Sequence, residues 1–583
     1  MARPNDEVGA LLREYADLIA ITGGDAFKQR AYEKAARAIR GHPRDIGGLD
    51  ADGLRDIPGV GASIADKVEE YLRTGRVQAF EATRAAVPPG VRRLMSIPSL
   101  GPKKAMALYR ERGITGVDEL VEAIDAGKLA GLSGFGPRTR ENILRGVAVA
   151  RETGGRMLLD AAHDLAEEAV NGLVGAAGCE RAAWAGALRR MRETVGSVDV
   201  VAAARDPGPV LEAFTALPFA ARTVEAGRVR AAVATAGGQR VTVRVVAPEA
   251  WGAGLAHATG ARAHVAALRE RAARRGLRFA PDGLVDADAG ERVATATEED
   301  FYAALGLDWV PPTLRENRGE IDAAAEGALP ALVTEDALRG DLHTHTDLTD
   351  GLAPLAAMVE AAAARGYAYL AVTDHAPRLR MQRMTEEKIL AQREELRALE
   401  RGTGGRGTGG RGTGGMRLLH GAELNIAPDG SVDWPDAFLA EFDLCVASIH
   451  SHFGLDRAAQ TRRLIRACEN PHVHVIGHPT TRKIGLRGRI DADLDAVFAA
   501  CARTGTVLEI NGHPNRLDLH DEHVTRARRH GVRFALDSDA HSTRELANVR
   551  WSAATAQRAW LPAAEVVNTW PLARLRRFLR GSG

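Results

Sequence analysis

The residues best suited to chemistry are imidazoles and carboxylates in the C-terminal part of the chain. Of 18 histidines, only His42, His163, His257 and His264 precede residue 340. DLHTHTDLTDG carries His343, His345 and Asp350; AVTDHAP carries His375; GAELNI carries Glu423. ASIHSHF carries His450 beside His452, VIGHPT carries His478, and LDSDAHS carries Asp539 and His541. Neutral imidazole is the commonest metal ligand. Nitrogen and oxygen donors without thiolate suit divalent zinc, manganese or iron, not a structural cysteine site. Neighbouring ions bridged by a carboxylate would activate a water and clamp both oxygens of an in-line phosphoryl displacement. Any one of these histidines, taken singly, is more often a core or surface residue. Their shared context argues for a cluster, whereas His452, His513 and His520 keep the ordinary reading.

The shared context is the end of an apolar strand. From residue 339 the pattern is strand, loop, helix, repeated. The strands are YAYLAVT, FDLCVASI, VHVIG, TVLEI and VRFALDS, with helical stretches such as APLAAMVEAAAARG and DADLDAVFAACARTG between them. This alternation predicts a parallel α/β barrel, in which strand ends converge on one face. His343 and His345 are two apart, so on a strand both point to the same side. The run RGTGGRGTGGRGTGG (401–415) has no apolar residue and is expected to be a solvated loop without a catalytic role.

The N-terminal half carries a different chemistry. LRDIPGVGASIADKVEEYL (54–72), LMSIPSLGPKKAMALYRERG (94–113) and LAGLSGFGPRTRENILRG (129–146) each pass through a tight small-residue turn into a helix. These look like helix-hairpin-helix motifs. Such a turn aims backbone N–H groups at a phosphate, and the helix dipole adds to the attraction. That mode grips backbone, not sequence. The turn positions are Gly59 and Gly61, Ser99 and Gly101, and Gly134 and Gly136; Lys103, Lys104, Arg138 and Arg140 can add phosphate contacts.

Composition bounds the rest. A chain of 583 residues predicts about three to five domains. With 45% hydrophobic and 26% charged residues it is an ordinary globular chain, not a collagen or a disordered one. Lys+Arg 77 against Asp+Glu 76 gives a net charge of +1, so nucleic-acid binding has to come from local patches. The four cysteines form no CxxC pair, which fits a reducing compartment. No signal peptide or membrane-spanning run is seen, so the expected place is the cytoplasm. Nothing requires a dimer, and a monomer is expected.

Residues 339 to about 575 resemble the polymerase and histidinol phosphatase (PHP) domain, on HTHTDLTDG, TDH, GAE, SIHSH, GHP and DSDAH in that order. The resemblance implies a distorted barrel with three divalent ions (manganese, zinc or iron) hydrolysing phosphoesters. It assigns His343, His345, Glu423 and Asp539 to one ion. Glu423, His450 and His478 fall to the second, and Asp350, His375 and His541 to the third. LEINGHPNRLD (508–518) matches the stretch in bacterial family X polymerases, so Asn511 and Arg516 are expected to face substrate.

The order of segments over almost the whole chain resembles that polymerase family. It carries FKQRAYEKAARAIR, the hairpins, GALRRMRETVGSVDVV, VTVRVV, TGARAHVAALRERAARRGL and EEDFYAALGLDWVPPTLRENRGEI. The implied architecture is multidomain α/β. Helical helix-hairpin-helix domains come first (1–85, 86–152), then an α+β nucleotidyltransferase-like palm (153–250) and thumb (251–323). A linker (324–338) leads to a C-terminal distorted (β/α)7 barrel (339–583). The family's palm holds two magnesium ions with three aspartates. Here the pair reads Gly196-Ser197-Val198-Asp199 and the third position is Thr242, so only Asp199 remains. The triphosphate Gly-Ser is Gly186-Ala187, though Arg189 and Arg190 persist; the thumb Gly-Ser is Gly260-Ala261, and an expected Asn is Val265. A hydroxyl cannot replace a carboxylate for a hard cation, so palm magnesium and templated synthesis are not expected. The alternative is substitution by a nearby acid such as Glu193. Lys67 matches the family's Schiff-base lysine; a solvated or phosphate-contacting lysine is the alternative, because the partner basic position is Ser63.

The expected activity is 3′–5′ exonucleolytic or end-processing hydrolysis of gapped, nicked or 3′-recessed DNA, with abasic-site nicking as an extension. The rivals are a small-molecule phosphatase on the same barrel, an intact polymerase, and a DNA-end scaffold whose metals are structural.

Overall fold

The alternating runs between residues 181 and 246 fold into a five-stranded sheet. Its strands are β1 (Arg181–Trp184), β2 (Ser197–Ala203), β3 (Arg222–Ala226), β4 (Arg230–Ala234) and β5 (Arg240–Val246), in the order β1-β2-β5-β4-β3. β2 and β5 are parallel, with Asp199 opposite Thr242; the other pairs are antiparallel. Helices Leu159–Val174 and Pro207–Thr215 pack on this palm sheet. The structure is a computed structural model that describes residues 4–22, 24–85, 87–95, 97, 100–379, 382, 384–402 and 415–581. Ser99 and residues 403–414 of the five-residue repeat lie outside the described residues.

After the palm come helices Trp251–Thr259 and Arg262–Ala273 and a three-stranded antiparallel sheet (Leu277–Ala280, Gly283–Asp286, Arg292–Val293). They bury Phe279, Phe301 and Tyr302 in one core. Thr297 and Asp300 form a reciprocal capping box that starts helix Glu298–Ala304. Residues Gly155–Thr334 and Ala554–Ala563 make one compact unit. Gln557 Nε2 donates to the Val333 carbonyl at 2.9 Å, and Arg558 Nη1 to Glu316 Oε1 at 2.9 Å.

The second unit holds Arg3–Gly154, Glu335–Ala553 and Ala564–Gly583. Its N-terminal part is helical. Asp25 accepts from the Phe27 N–H and starts helix Ala26–Gly41, which packs along helix Pro4–Thr22. Tyr15 stacks on Phe80 at 3.8 Å between ring centroids, with Tyr32 edge-on. A second core, built on Leu94, Leu108, Leu120, Phe135 and Ile143, holds the next two hairpins.

The remainder of this unit is the barrel. Its strands are β6 (Gly340–Asp341), β7 (Tyr369–Val372), β8 (Arg417–Asn425), β9 (Leu444–Ser448), β10 (Val475–Ile476), β11 (Val507–Asn511) and β12 (Phe534–Asp537). All seven pair in chain order and all are parallel. Closure is nearly complete. The edges meet through a Thr344–Ala540 bridge, with the His345 N–H donating to the Ala540 carbonyl at 2.9 Å and the Leu342 N–H to Asp537 Oδ1 at 2.9 Å. The interior is filled by Leu342, Ala371, Leu419, Val446, Val475, Val507 and Ala535, closed off by Trp570 and Leu575. Fully buried strands need no polar face, which is why they read as continuous apolar runs.

Candidate functional site

The carboxyl ends of the barrel strands bring all nine expected donors together. Glu423, near the end of β8, is the hub. Its Oε1 lies 3.1 Å from His450 Nε2, 3.0 Å from His478 Nε2 and 3.5 Å from His343 Nε2. Its Oε2 lies 2.8 Å from His375 Nδ1 and 3.6 Å from His345 Nε2. Asp539 Oδ1 is 3.3 Å from His345 Nε2 and 3.7 Å from His343 Nε2. Asp350 Oδ1 is 3.4 Å from His375 Nε2 and 3.5 Å from His541 Nε2.

Three groups of donors are each tight enough to hold an ion: His345, Asp350, His375 and His541; His343, His345 and Asp539; and His375, Glu423 and His450. They overlap more than the assignment made from the resemblance, since His345 and His375 each stand between two groups. His478 joins through Glu423.

The donors also fit cations by what they lack. His343 Nε2, both His345 nitrogens, Asp350 Oδ1 and His375 Nδ1 are buried without a hydrogen bond. His375 Nδ1 is close to Glu423 yet makes no hydrogen bond with it, the geometry of two ligands sharing an ion. Buried polar atoms are otherwise almost always paired.

Electrostatics agree. Burial alone would raise Glu423 and Asp539, but the surrounding imidazoles hold both well below the usual carboxylate range. Burial alone would lower His375 and His541; Glu423 and Asp350 instead hold His375 up at about 10, and Asp350 holds His541 up at about 9. His478 goes the other way, down to about 3, through burial and the nearby Arg516.

A supporting layer was not read from the sequence. Glu509 on β11 accepts from His343 Nδ1 at 2.6 Å and from the His478 N–H at 2.5 Å. Asn425 Oδ1 lies 2.8 Å from His450 Nδ1. Asp374 accepts from the Thr346 N–H at 2.9 Å and from Gln392 Nε2 at 2.5 Å, bracing the loop that carries Asp350. Such partners orient ligands and raise their basicity. The signal available was a carboxylate inside an apolar run, as in TVLEI.

Asn511 departs from its expected place facing substrate. It is fully buried, and its Nδ2 donates to Asp539 Oδ2 at 3.0 Å and Glu509 Oε2 at 3.1 Å. It therefore braces a donor. Arg516 does lie at the cluster, its Nε 3.4 Å from Asp539 Oδ2.

The palm is differently charged. Asp199 is its remaining acid, with Ser197 on the same strand and Thr242 across from it. Burial raises the Asp199 pKa, countered by Arg230, a Ser197 hydrogen bond, Arg190 and Arg240. Arg189 and Arg190, expected to meet a triphosphate, have internal partners instead. Arg189 forms a bidentate pair with Glu298 at 2.8 Å, and Arg190 Nε reaches Glu316 at 3.0 Å.

Three hairpin turns lead into helices as expected. Gly59 and Gly134 have positive φ (93° and 82°), which their turns require and a side chain would resist. Gly61, Gly101 and Gly136 are the N-caps of helices Ala62–Thr74, Pro102–Arg112 and Pro137–Thr153, and none has a side-chain cap. The first-turn N–H groups of these helices therefore receive no acceptor from an N-cap side chain. Lys103, Lys104, Arg138 and Arg140 fall in these first turns. Lys67 is half-buried, and its Nζ donates to Ser63 Oγ at 2.9 Å and to the Ser63 carbonyl at 2.8 Å.

Comparison with known families agrees with this layout. Residues 3–77 match the helix-hairpin-helix domain, 91–147 the SAM-like helix-hairpin-helix tandem, 254–316 the DNA polymerase beta thumb, and 341–513 the PHP domain. Hairpins and thumb indicate DNA binding, and PHP domains are metal-dependent, so the class is a DNA-acting metalloenzyme. The chain is 32% identical over 573 residues, 98% of each chain, to "DNA polymerase/3'-5' exonuclease PolX" of Bacillus subtilis. It belongs to the bacterial family X DNA polymerases of the PolX type. The barrel region is also similar to a "Probable phosphatase" of Syntrophotalea carbinolica (32% over 162 residues, 26% of this chain and 65% of the relative). A "Probable phosphatase" of Acetivibrio thermocellus is 27% identical over 239 residues, 39% of this chain and 90% of the relative.

Proposed function

We propose that this chain is a DNA-end-processing phosphodiesterase, a 3′–5′ exonuclease that also nicks abasic sites, and that its palm no longer polymerises. The observation that carries this reading is the contrast between nine His, Asp and Glu donors gathered at the barrel's strand ends and Asp199, the one acid left of the family's three, set half-buried among arginines in the palm. His343, His345, Asp350, His375, Glu423, His450, His478, Asp539 and His541 would hold the ions. Bound divalent ions would supply Lewis-acid charge to a phosphoryl oxygen and an acidified water. Glu509 and Asn425 fix the tautomers of His343 and His450, and Arg516 brings a cation to an incoming phosphate. The uncapped helix starts at Gly61, Gly101 and Gly136 hold the duplex backbone of gapped, nicked or 3′-recessed DNA.

A nuclease and primer-extension assay on one gapped duplex, with magnesium, manganese or zinc, tests the reading. Hydrolysis is expected to vanish in His343→Ala and His450→Ala with DNA affinity kept. Robust extension abolished by Asp199→Ala would overturn the palm half of the reading.

A second reading, a small-molecule phosphatase, draws on the similarity of the barrel to the two phosphatase-named relatives. Faster turnover of histidinol phosphate than of a 3′-recessed duplex would favour it. Lyase chemistry at Lys67 would require its ammonium to leave Ser63, to which it donates. Borohydride trapping on an abasic duplex, lost in Lys67→Ala, would establish it. A monomer working in the cytoplasm is part of the same reading, and light scattering tests the oligomeric state.

A further inference from the structure

Beside the donor cluster lies a group of cations, Lys483, Arg487 and Arg516, whose nearby acids are Asp518 and the candidate ligand Asp539. Residues 480–490 form a loop whose middle is a tight hairpin. The Lys483 N–H donates to the Arg487 carbonyl at 2.8 Å, and the Arg487 N–H returns to the Lys483 carbonyl at 2.7 Å. The hairpin is tied to the segment carrying Arg516, because the Ile484 N–H donates to the Asn515 carbonyl at 2.7 Å. Arg487 Cζ lies over the Phe453 ring, 3.9 Å from its centroid, in the loop that follows His450. Among the described residues, neither Lys483 nor Arg487 has a carboxylate within ion-pair distance. The one acid paired to Arg516 is the candidate ligand Asp539, and Arg516 Nη1 is buried without a hydrogen bond.

Three cations gathered in this way repel one another. Lys483 registers it: burial, then Arg516 and Arg487, push its ammonium down to about 8. Arg13 of the first helix adds to the same field. A chain that keeps such a cluster part-buried beside a phosphoesterase cluster has built a site for anions. Arg516 adjoins the donors and so meets the phosphate under attack. Lys483 and Arg487 stand on the hairpin tied to it, where a neighbouring phosphate of the same strand would fall.

We propose that Lys483 and Arg487, with Arg516, form a phosphate-binding subsite for the DNA strand next to the scissile phosphodiester, one that selects polynucleotide over isolated phosphoester. The inference rests on the barrel being a DNA phosphodiesterase and adds the residues that give it that preference. A second phosphate gains two charge-assisted contacts there; a substrate with a single phosphate gains none.

The test compares the full-length chain with Lys483→Gln, Arg487→Ala and Arg487→Lys. Affinity for a labelled trinucleotide and for inorganic phosphate is read without catalysis, and turnover of DNA and of bis(p-nitrophenyl) phosphate is read with manganese. Lys483→Gln and Arg487→Ala are expected to weaken trinucleotide binding about tenfold each and to reduce its salt dependence by roughly 0.7 per lost contact. Arg487→Lys keeps part of that affinity, and bis(p-nitrophenyl) phosphate turnover stays unchanged. Equal trinucleotide affinity and salt slope in parent and variants would overturn the subsite, as would an equal loss for inorganic phosphate. If the parent cuts no DNA while the variants still lose trinucleotide affinity, the exonuclease reading fails and the subsite stands. If the parent cuts DNA and the variants bind and cut as it does, the subsite fails alone.

Discussion

In the barrel, the carboxylates of Asp350, Glu423 and Asp539 meet the imidazoles of His343, His345, His375, His450, His478 and His541. In the palm, Asp199 faces Arg230, Arg190 and Arg240, and the positions around it hold the hydroxyls of Ser197 and Thr242. Both places lie on sheets with buried apolar strands. The folds are therefore equally able to present ligands, and the difference is one of charge. Acids at close quarters need cations; an acid among guanidiniums already has them. The palm sheet keeps its parallel and antiparallel register with Ser197 and Thr242 where the family carries acids, so presenting a strand and supplying its ligands are separate properties of a fold.

The largest test of this contrast is Glu423→Gln. It removes one charge from the hub of five imidazoles, and manganese-dependent hydrolysis should fall by about a thousandfold or more, the scale of several kcal/mol of transition-state stabilisation. Metal analysis of the purified variant should show ions lost in parallel. Retained ions and retained hydrolysis would remove Glu423 from the centre of the account.

A comparison inside the barrel sharpens the point. His375, flanked by acids, is held up at about 10, whereas His420, which hydrogen-bonds the Ile389 carbonyl and stacks on Phe442, is lowered by burial to about 4. Unfolding returns His420 to the ordinary value near 6.5. The unfolded chain therefore binds the extra proton first. This contribution is intact above about pH 6.5 and is lost as pH falls towards 4, by roughly 3 kcal/mol at most. Urea unfolding across that window should show a shallower pH dependence in His420→Phe. An unchanged profile would mean that His420 does not titrate as its burial requires.

Next in size is Glu509→Gln. It keeps the shape of β11 but weakens the acceptor for His343 Nδ1, and metal affinity should drop about 10–100-fold, as for other partners of metal-bound histidines. A titration with manganese reads this directly. Asp199→Asn should do least, changing DNA hydrolysis by less than about twofold, because a group that makes no contact with the reacting atoms removes no transition-state interaction. A large loss there would make the palm part of the nuclease.

Much of the barrel was legible in the chain itself. Apolar runs of strand length, each followed by His, Asp or Glu, state both the parallel sheet and the face on which the donors gather. The glycine pairs of the hairpins were legible for a similar reason, since positive φ at Gly59 and Gly134 is a local demand. Asn511 was not legible in this way. Its position beside a donor suggested substrate, but whether an amide points to open space or to a neighbouring carboxylate depends on what the next strand places opposite it. Arg189 and Arg190 follow the same logic, because Glu298 and Glu316 are more than a hundred residues away along the chain.

The sequence by itself determined the donor types, their place at strand ends, the hairpin turns and the missing palm acids. These follow from side-chain chemistry and short-range periodicity. Only the tertiary structure decided that His345 and His375 each stand between two donor groups, and that Lys483, Arg487 and Arg516 crowd together near the donors. Charge acts through space, and barrel closure sets which residues, remote along the chain, come within its range.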